Sequence, residues 1–250
     1  MRSDLHPGKR CLNNAGQYDT INNITGYSAF ILKPWGEGCQ VKIYGYGDAA
    51  APLMLIQPVD SRDLPLIENE IKEISRLTDK KFCLSAVKIE DWNNDLSPWT
   101  APAVFGKEPF GGGAENTLKE ILKLCSDKDK KYIIGGYSLA GLFAVWSAYR
   151  CDAFSAVAAA SPSVWFPGFV DFMREGEIRC AGVCLSLGDK EEKTKNPVTA
   201  TVGDRIREAR SILCSEGINC SLEWNEGNHF KDADIRTAKV FARAAESIQY

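Results

Sequence analysis

The sequence predicts one α/β domain spanning residues 1–250, with a mostly parallel central sheet and helices on both faces. Three observations carry this. Short apolar runs alternate with segments of helical period from Lys131 onward, the pattern of a parallel sheet wrapped by helices. The runs YIIGG and AVAAAS are apolar without alternation, as in strands buried on both sides. The 250 residues are 44% hydrophobic and 25% charged, the balance of an ordinary globular chain long enough to bury a large core.

Each element has its own signal. Strand candidates are Tyr27–Leu32, Gln40–Tyr44, Leu53–Pro58, Phe82–Ile89, Lys131–Gly135, Ala156–Ala160, Gly182–Leu187 and Cys220–Trp224. Helix candidates follow the later strands: Leu139–Arg150, a short one near Gly168–Met173, Val198–Leu213 and Asp234–Ser247. Asn196 before Pro197 places an N-cap ahead of a first-turn proline. Val198, Val202, Ile206, Ala209 and Leu213 then form one apolar stripe. LAGLFAVWSAYR is apolar nearly all round, which predicts a central, buried helix. Phe110-Gly-Gly-Gly-Ala114 lacks the Lys-Ser/Thr of a phosphate loop and reads as a flexible turn before a helix near Glu115. Residues 1–25 read as an irregular segment. No long lid is evident.

Charge and cysteines narrow the class. A net charge of −3 with interspersed signs speaks against a nucleic-acid partner. No stretch approaches a membrane span and the N-terminus lacks a signal-peptide core, so the expected compartment is the cytoplasm and no membrane partner is expected. Nine cysteines are an odd, scattered set without a CxxC pair, a poor disulfide or zinc framework. No metal site is expected.

The chemistry begins at Lys131-Tyr-Ile-Ile-Gly-Gly136-Tyr-Ser138-Leu139-Ala140-Gly. A buried strand meets a sharp turn and an apolar helix leaves it, with Ser138 at the corner. This is the G-x-S-x-G nucleophile elbow with Ala140 in the last place. The turn also opens a helix, so the Leu139 amide can face a developing oxyanion. A serine hydroxyl needs a general base. The chain has two histidines. His6 lies in the polar N-terminal segment, whereas His229 follows a late strand, where a base for such a serine belongs. The acid should follow a strand between them. Leu187-Gly-Asp189-Lys-Glu191-Glu192 offers three carboxylates, in the order of preference Glu191, Asp189, Glu192. A second oxyanion amide is expected from Asp91 or Trp92, in the loop after Phe82–Ile89. Trp92 and Trp165, then Trp99 and Phe230, are the candidate pocket walls.

GGYSLAGLFA, LGDKE and GNHF together resemble the esterase family of α/β-hydrolases that includes siderophore (enterobactin-type) esterases, feruloyl esterases and S-formylglutathione hydrolases. The resemblance covers Val87 to the C-terminus most specifically. It implies the α/β-hydrolase fold and a serine carboxylesterase working through an acyl-enzyme, with no metal or organic cofactor. Ser138 maps to the nucleophile, His229 to the base and Glu191 to the acid, where Asp is the more usual residue. Some siderophore esterases of the family dispense with the acid. The implied partner is a small-molecule ester, and a homo-oligomer stays open. An acyltransferase using the same residues and a non-catalytic binding protein are the alternative readings.

Overall fold

The computed structural model describes residues 18–21, 29–32 and 42–249. His6, Cys11, Cys39 and the first residues of the strands expected at Tyr27 and Gln40 lie outside them.

A nine-stranded sheet organises the described residues. In chain order its strands are β1 (Tyr18–Ile21), β2 (Ala29–Leu32), β3 (Lys42–Gly47), β4 (Leu53–Val59), β5 (Phe82–Lys88), then β8 (Lys131–Tyr137), β9 (Ala156–Ala160), β10 (Gly182–Gly188) and β11 (Asn219–Asn225); a small separate hairpin pairs β6 (Thr100–Ala101) with β7 (Phe110–Gly111). The spatial order is β1-β2-β3-β5-β4-β8-β9-β10-β11. Pairing is antiparallel from β1 through β3 to β5, and parallel from β5 through β4 to β11. β1 falls within the segment read as irregular, so at Tyr18–Ile21 that expectation is corrected: the four residues pair with Ala29–Leu32.

The helices are α1 (Ile67–Leu77), α2 (Trp92–Asp95), α3 (Ala114–Leu122), α4 (Leu139–Arg150), α5 (Phe169–Glu175), α6 (Val202–Ser215) and α7 (Ala233–Ser247). One hydrophobic layer gathers α1 and α7 against Leu53, Leu55, Ile133, Ala156, Ala158 and Cys184. The opposite layer gathers α3, α4, α5 and α6 against Ile56, Ile134, Val157, Ala159 and Leu185. Successive strand residues face opposite layers. Because both layers are packed with apolar side chains, those strands are apolar at nearly every position. Every residue of α4 except Arg150 is buried, and each fully buried large side chain on it, such as Leu142 or Phe143, contributes about 2 kcal/mol.

Three local readings change. α1 was missed, although Ile67, Ile71 and Ile74 recur at helical spacing and are all buried. The expected Val198–Leu213 helix begins as a 3-10 turn at Thr199–Thr201 and becomes α-helical at Val202. Asn196 nonetheless caps that turn, its Oδ1 accepting from Val198 N–H at 2.9 Å. The triple glycine is a packed junction and not a free turn. Gly113 N–H donates to the Asn94 carbonyl at 2.7 Å, and a Cβ on Gly111 would stand 1.9 Å from the Asn94 side chain. Among the described residues no helix is long and apolar enough to cross a membrane.

Candidate active site

Ser138 stands between the last residue of β8 and the first of α4, with φ 57° and ψ −118°. A non-glycine residue there is strained. Main-chain hydrogen bonds hold it. Its N–H donates to Ala160 O at 3.0 Å, and its carbonyl accepts from Leu142 and Ser163 N–H, each at 3.1 Å. Gly136 has to be small, because a Cβ there would lie 2.7 Å from the Ala140 Cβ. Ala140 is fully buried, so the methyl group tolerated at the end of the elbow depends on the bare Gly136 beside it.

The elbow brings the half-buried Ser138 to a cavity of about 300 Å³. Leu139 starts α4, so its amide has no intrahelical partner. His229 arrives from the β11–α7 connection. Its Nε2 lies 3.0 Å from Ser138 Oγ, and its Nδ1 lies 2.7 Å from Glu191 Oε2. The structure thus brings together Ser138, His229 and the first of the three candidate acids.

The other two acids have different partners. Asp189 Oδ1 accepts from Gly227 N–H at 2.7 Å, which shapes the loop carrying His229. Glu192 Oε2 pairs with Arg207 at 3.2 Å, on the surface. Glu191 is buried. Its second oxygen, Oε1, accepts from Ser161 Oγ at 2.6 Å, Gly188 N–H at 2.7 Å and Arg236 Nη1 at 3.0 Å. Burial alone would raise its pKa. The hydrogen bond and charge of His229, then the bonds from Ser161 and Gly188, outweigh burial and hold it below the ordinary carboxylate value. Ser161 takes a left-handed φ of 44°, a strain that accompanies aiming its hydroxyl at Glu191.

Two groups of candidates are corrected. Asp91 and Trp92 follow β5, but β4 lies between β5 and the Ser138 strand. They therefore leave a strand that does not adjoin the elbow's own. The Asp91 N–H donates to the Asp95 carboxylate at 3.3 Å, and its side chain caps α2. The strand order was the missing information, because chain order places β5 nearer to β8. Of the four candidate walls, Trp165 and Phe230 line the cavity. Trp92 packs partly buried against the core. Trp99 sits in an aromatic cluster with Phe166, Phe169 and Phe172, its Nε1–H donating to Pro167 O at 2.9 Å.

Several participants were not singled out from the sequence. Ser163 Oγ lies 3.3 Å from Ser138 Oγ. Phe105, Lys190 and Lys193 line the cavity. Arg236 is only 2% exposed. Its sequence signal was a charged residue in helical register with the apolar Val240 and Ala244.

No protein-family model matches the sequence, and no curated protein matches it. Solved structures do. The siderophore hydrolase EstA from Aspergillus nidulans aligns at 17% identity over 93% of this chain and 100% of its own, with a TM-score of 0.60. An IroE-like serine hydrolase from Shewanella oneidensis aligns at 14% identity over 84% of this chain and 77% of its own, TM-score 0.61. Dienelactone hydrolase from Anabaena variabilis aligns at 12% identity over 90% and 100%, TM-score 0.63. These likenesses establish the α/β-hydrolase fold, shared with hydrolases and esterases.

Proposed function

Taking the α/β-hydrolase fold as the starting point, we propose that the chain is a serine carboxylesterase with Ser138 as nucleophile, His229 as base and Glu191 as acid. The observation that carries this reading is the unbroken chain Ser138 Oγ, His229 Nε2, His229 Nδ1, Glu191 Oε2, with contacts of 3.0 and 2.7 Å.

The chemistry follows from the geometry. An ionised Glu191 accepts from Nδ1–H, which leaves the Nε2 lone pair facing Ser138. His229 takes the hydroxyl proton as Oγ attacks the ester carbonyl. The tetrahedral oxyanion forms beside the Leu139 amide, a donor typically worth about 3 kcal/mol in the transition state. The imidazolium then protonates the leaving alcohol, and an acyl group remains on Ser138. Water, deprotonated by His229, releases the acid.

The second oxyanion amide is assigned to the turn after β4. That strand adjoins β8, pairing Leu53 with Lys131 and Ile56 with Ile134. Asp60 and Ser138 each come four residues after the last pair, Ile56–Ile134. Asp60 Oδ1 accepts from Arg62 and Asp63 N–H at 2.7 and 2.9 Å, which fixes the turn. The amides of Asp60 and Ser61 are the donors this reading nominates in place of Asp91 and Trp92.

Trp165, Phe105 and Phe230 in the cavity lining, beside Lys190 and Lys193, suit an ester with an aromatic portion, a siderophore or other aryl ester. The cytoplasm is the proposed compartment, in keeping with the free, buried thiols of Cys83, Cys180 and Cys184. The test is Ser138→Ala with 4-nitrophenyl acetate as substrate. A loss of about four orders of magnitude or more in kcat/KM is expected. Unchanged turnover would remove Ser138 from the reaction.

A further inference from the structure

We propose that Arg236 is a positioning residue for the reaction, holding His229 from both ends. The inference rests on the Ser138–His229–Glu191 reading and adds a fourth group to it.

The guanidinium joins the carboxyl ends of four adjacent strands. Its Nη1 lies 3.2 Å from Tyr137 Oη, at the end of β8, and 3.5 Å from Ser161 Oγ, just past β9. The same nitrogen lies 3.0 Å from Glu191 Oε1, beyond β10, and Nη2 donates to Glu226 O at 2.9 Å, beyond β11. Arg236 and Glu191 side chains are 2% and 3% exposed. Placing a cation there costs desolvation, which a single surface pair could not offset. The planar fork of arginine suits several fixed acceptors at once, as an ammonium does not.

Two chains of hydrogen bonds lead from that fork to His229. One runs through Glu191 to the ring, at Nδ1. The other runs through Tyr137, whose hydroxyl accepts from Arg236 and donates to the His229 carbonyl at 2.6 Å. Ring and backbone of the base are therefore fixed from one buried group. A misplacement of about 1 Å in such a base can cost up to about a hundredfold in rate.

The experiment reads the downfield Nδ1–H proton resonance of His229 in a His6→Gln background, where it is the only imidazole, with kcat and KM measured in parallel. Arg236→Lys should lower kcat about tenfold with KM little changed. Tyr137→Phe, which breaks the link to the His229 carbonyl, should lower kcat in the same way. Arg236→Met should broaden or abolish the Nδ1–H resonance, because Glu191 is then no longer held. An unchanged resonance in Arg236→Met overturns the proposal. Should Arg236→Met fail to fold, wild-type kcat in both Arg236→Lys and Tyr137→Phe overturns it. If the unmutated chain hydrolyses no ester, the esterase reading falls, while the resonance still decides whether Arg236 holds His229.

Discussion

Glu191 and His229 are 38 residues apart in the chain, yet Oε2 of one lies 2.7 Å from Nδ1 of the other. The contact is built by parallel neighbours. β10 and β11 pair in register from Gly182–Asn219 to Gly188–Asn225, so the loops that leave them start side by side. Glu191 comes three residues after one strand and His229 four residues after the other.

Glu191→Gln should reduce kcat by about three to four orders of magnitude, because the amide cannot hold the required imidazole tautomer. The same change leaves the buried Arg236 without its carboxylate. It should therefore also destabilise the fold by about 3 kcal/mol in urea unfolding. A loss of activity below tenfold would favour a Ser–His dyad.

Glu70 provides a separate test by pH. Burial against β4 pushes its pKa up to about 8, the bond from Gln57 opposing only in part. A carboxyl whose folded pKa lies above its unfolded value binds more protons in the native state. Its stability contribution is full below the unfolded value near 4.5 and falls as pH rises towards about 8. Wild-type Tm should drop over that window. Glu70→Gln should flatten the drop and raise stability at alkaline pH by about 1 kcal/mol or more. Its amide could also reach Gln57 Oε1, which has no hydrogen-bond partner among the described residues. A parallel fall of Tm in both proteins would contradict the assignment.

Phe230 and Trp99 separate substrate contact from core packing. Phe230 is 89% exposed and lines the cavity. Phe230→Ala should leave Tm unchanged and lower kcat/KM for an aryl ester about tenfold. Trp99 is held by Pro167 O and three phenylalanines. Trp99→Ala should cost about 3 kcal/mol of stability, with a smaller change in KM. Michaelis–Menten kinetics beside thermal melts of both variants decide it.

Much of this was legible in the residues. Ala156–Ala160 and Leu139–Arg150 carry their signals locally, as uninterrupted apolar runs, and both have the expected bounds. Ser138 was legible because an elbow constrains its immediate neighbours, and His229 because one histidine alone followed the late strand. Asp91 and Trp92 lie on the loop of a strand that does not adjoin β8, and the reason is different. Which loop borders the elbow depends on β4 inserting between β5 and β8, a long-range pairing that no local pattern records. Trp92 and Trp99 are aromatic in polar surroundings, and composition does not distinguish a pocket wall from a packed cluster. Arg236 was hidden for the complementary reason, since a lone arginine early in a helix reads as solvated until its partners at and beyond the ends of β8, β9, β10 and β11 are in place.

The most direct test is intact-mass and peptide analysis after exposure to a fluorophosphonate, which reacts with an activated serine. The expected result is one adduct per chain on the peptide carrying Ser138, absent in Ser138→Ala and strongly slowed in His229→Gln. An unlabelled Ser138, or labelling at the same rate without His229, would contradict the Ser138–His229 nucleophile.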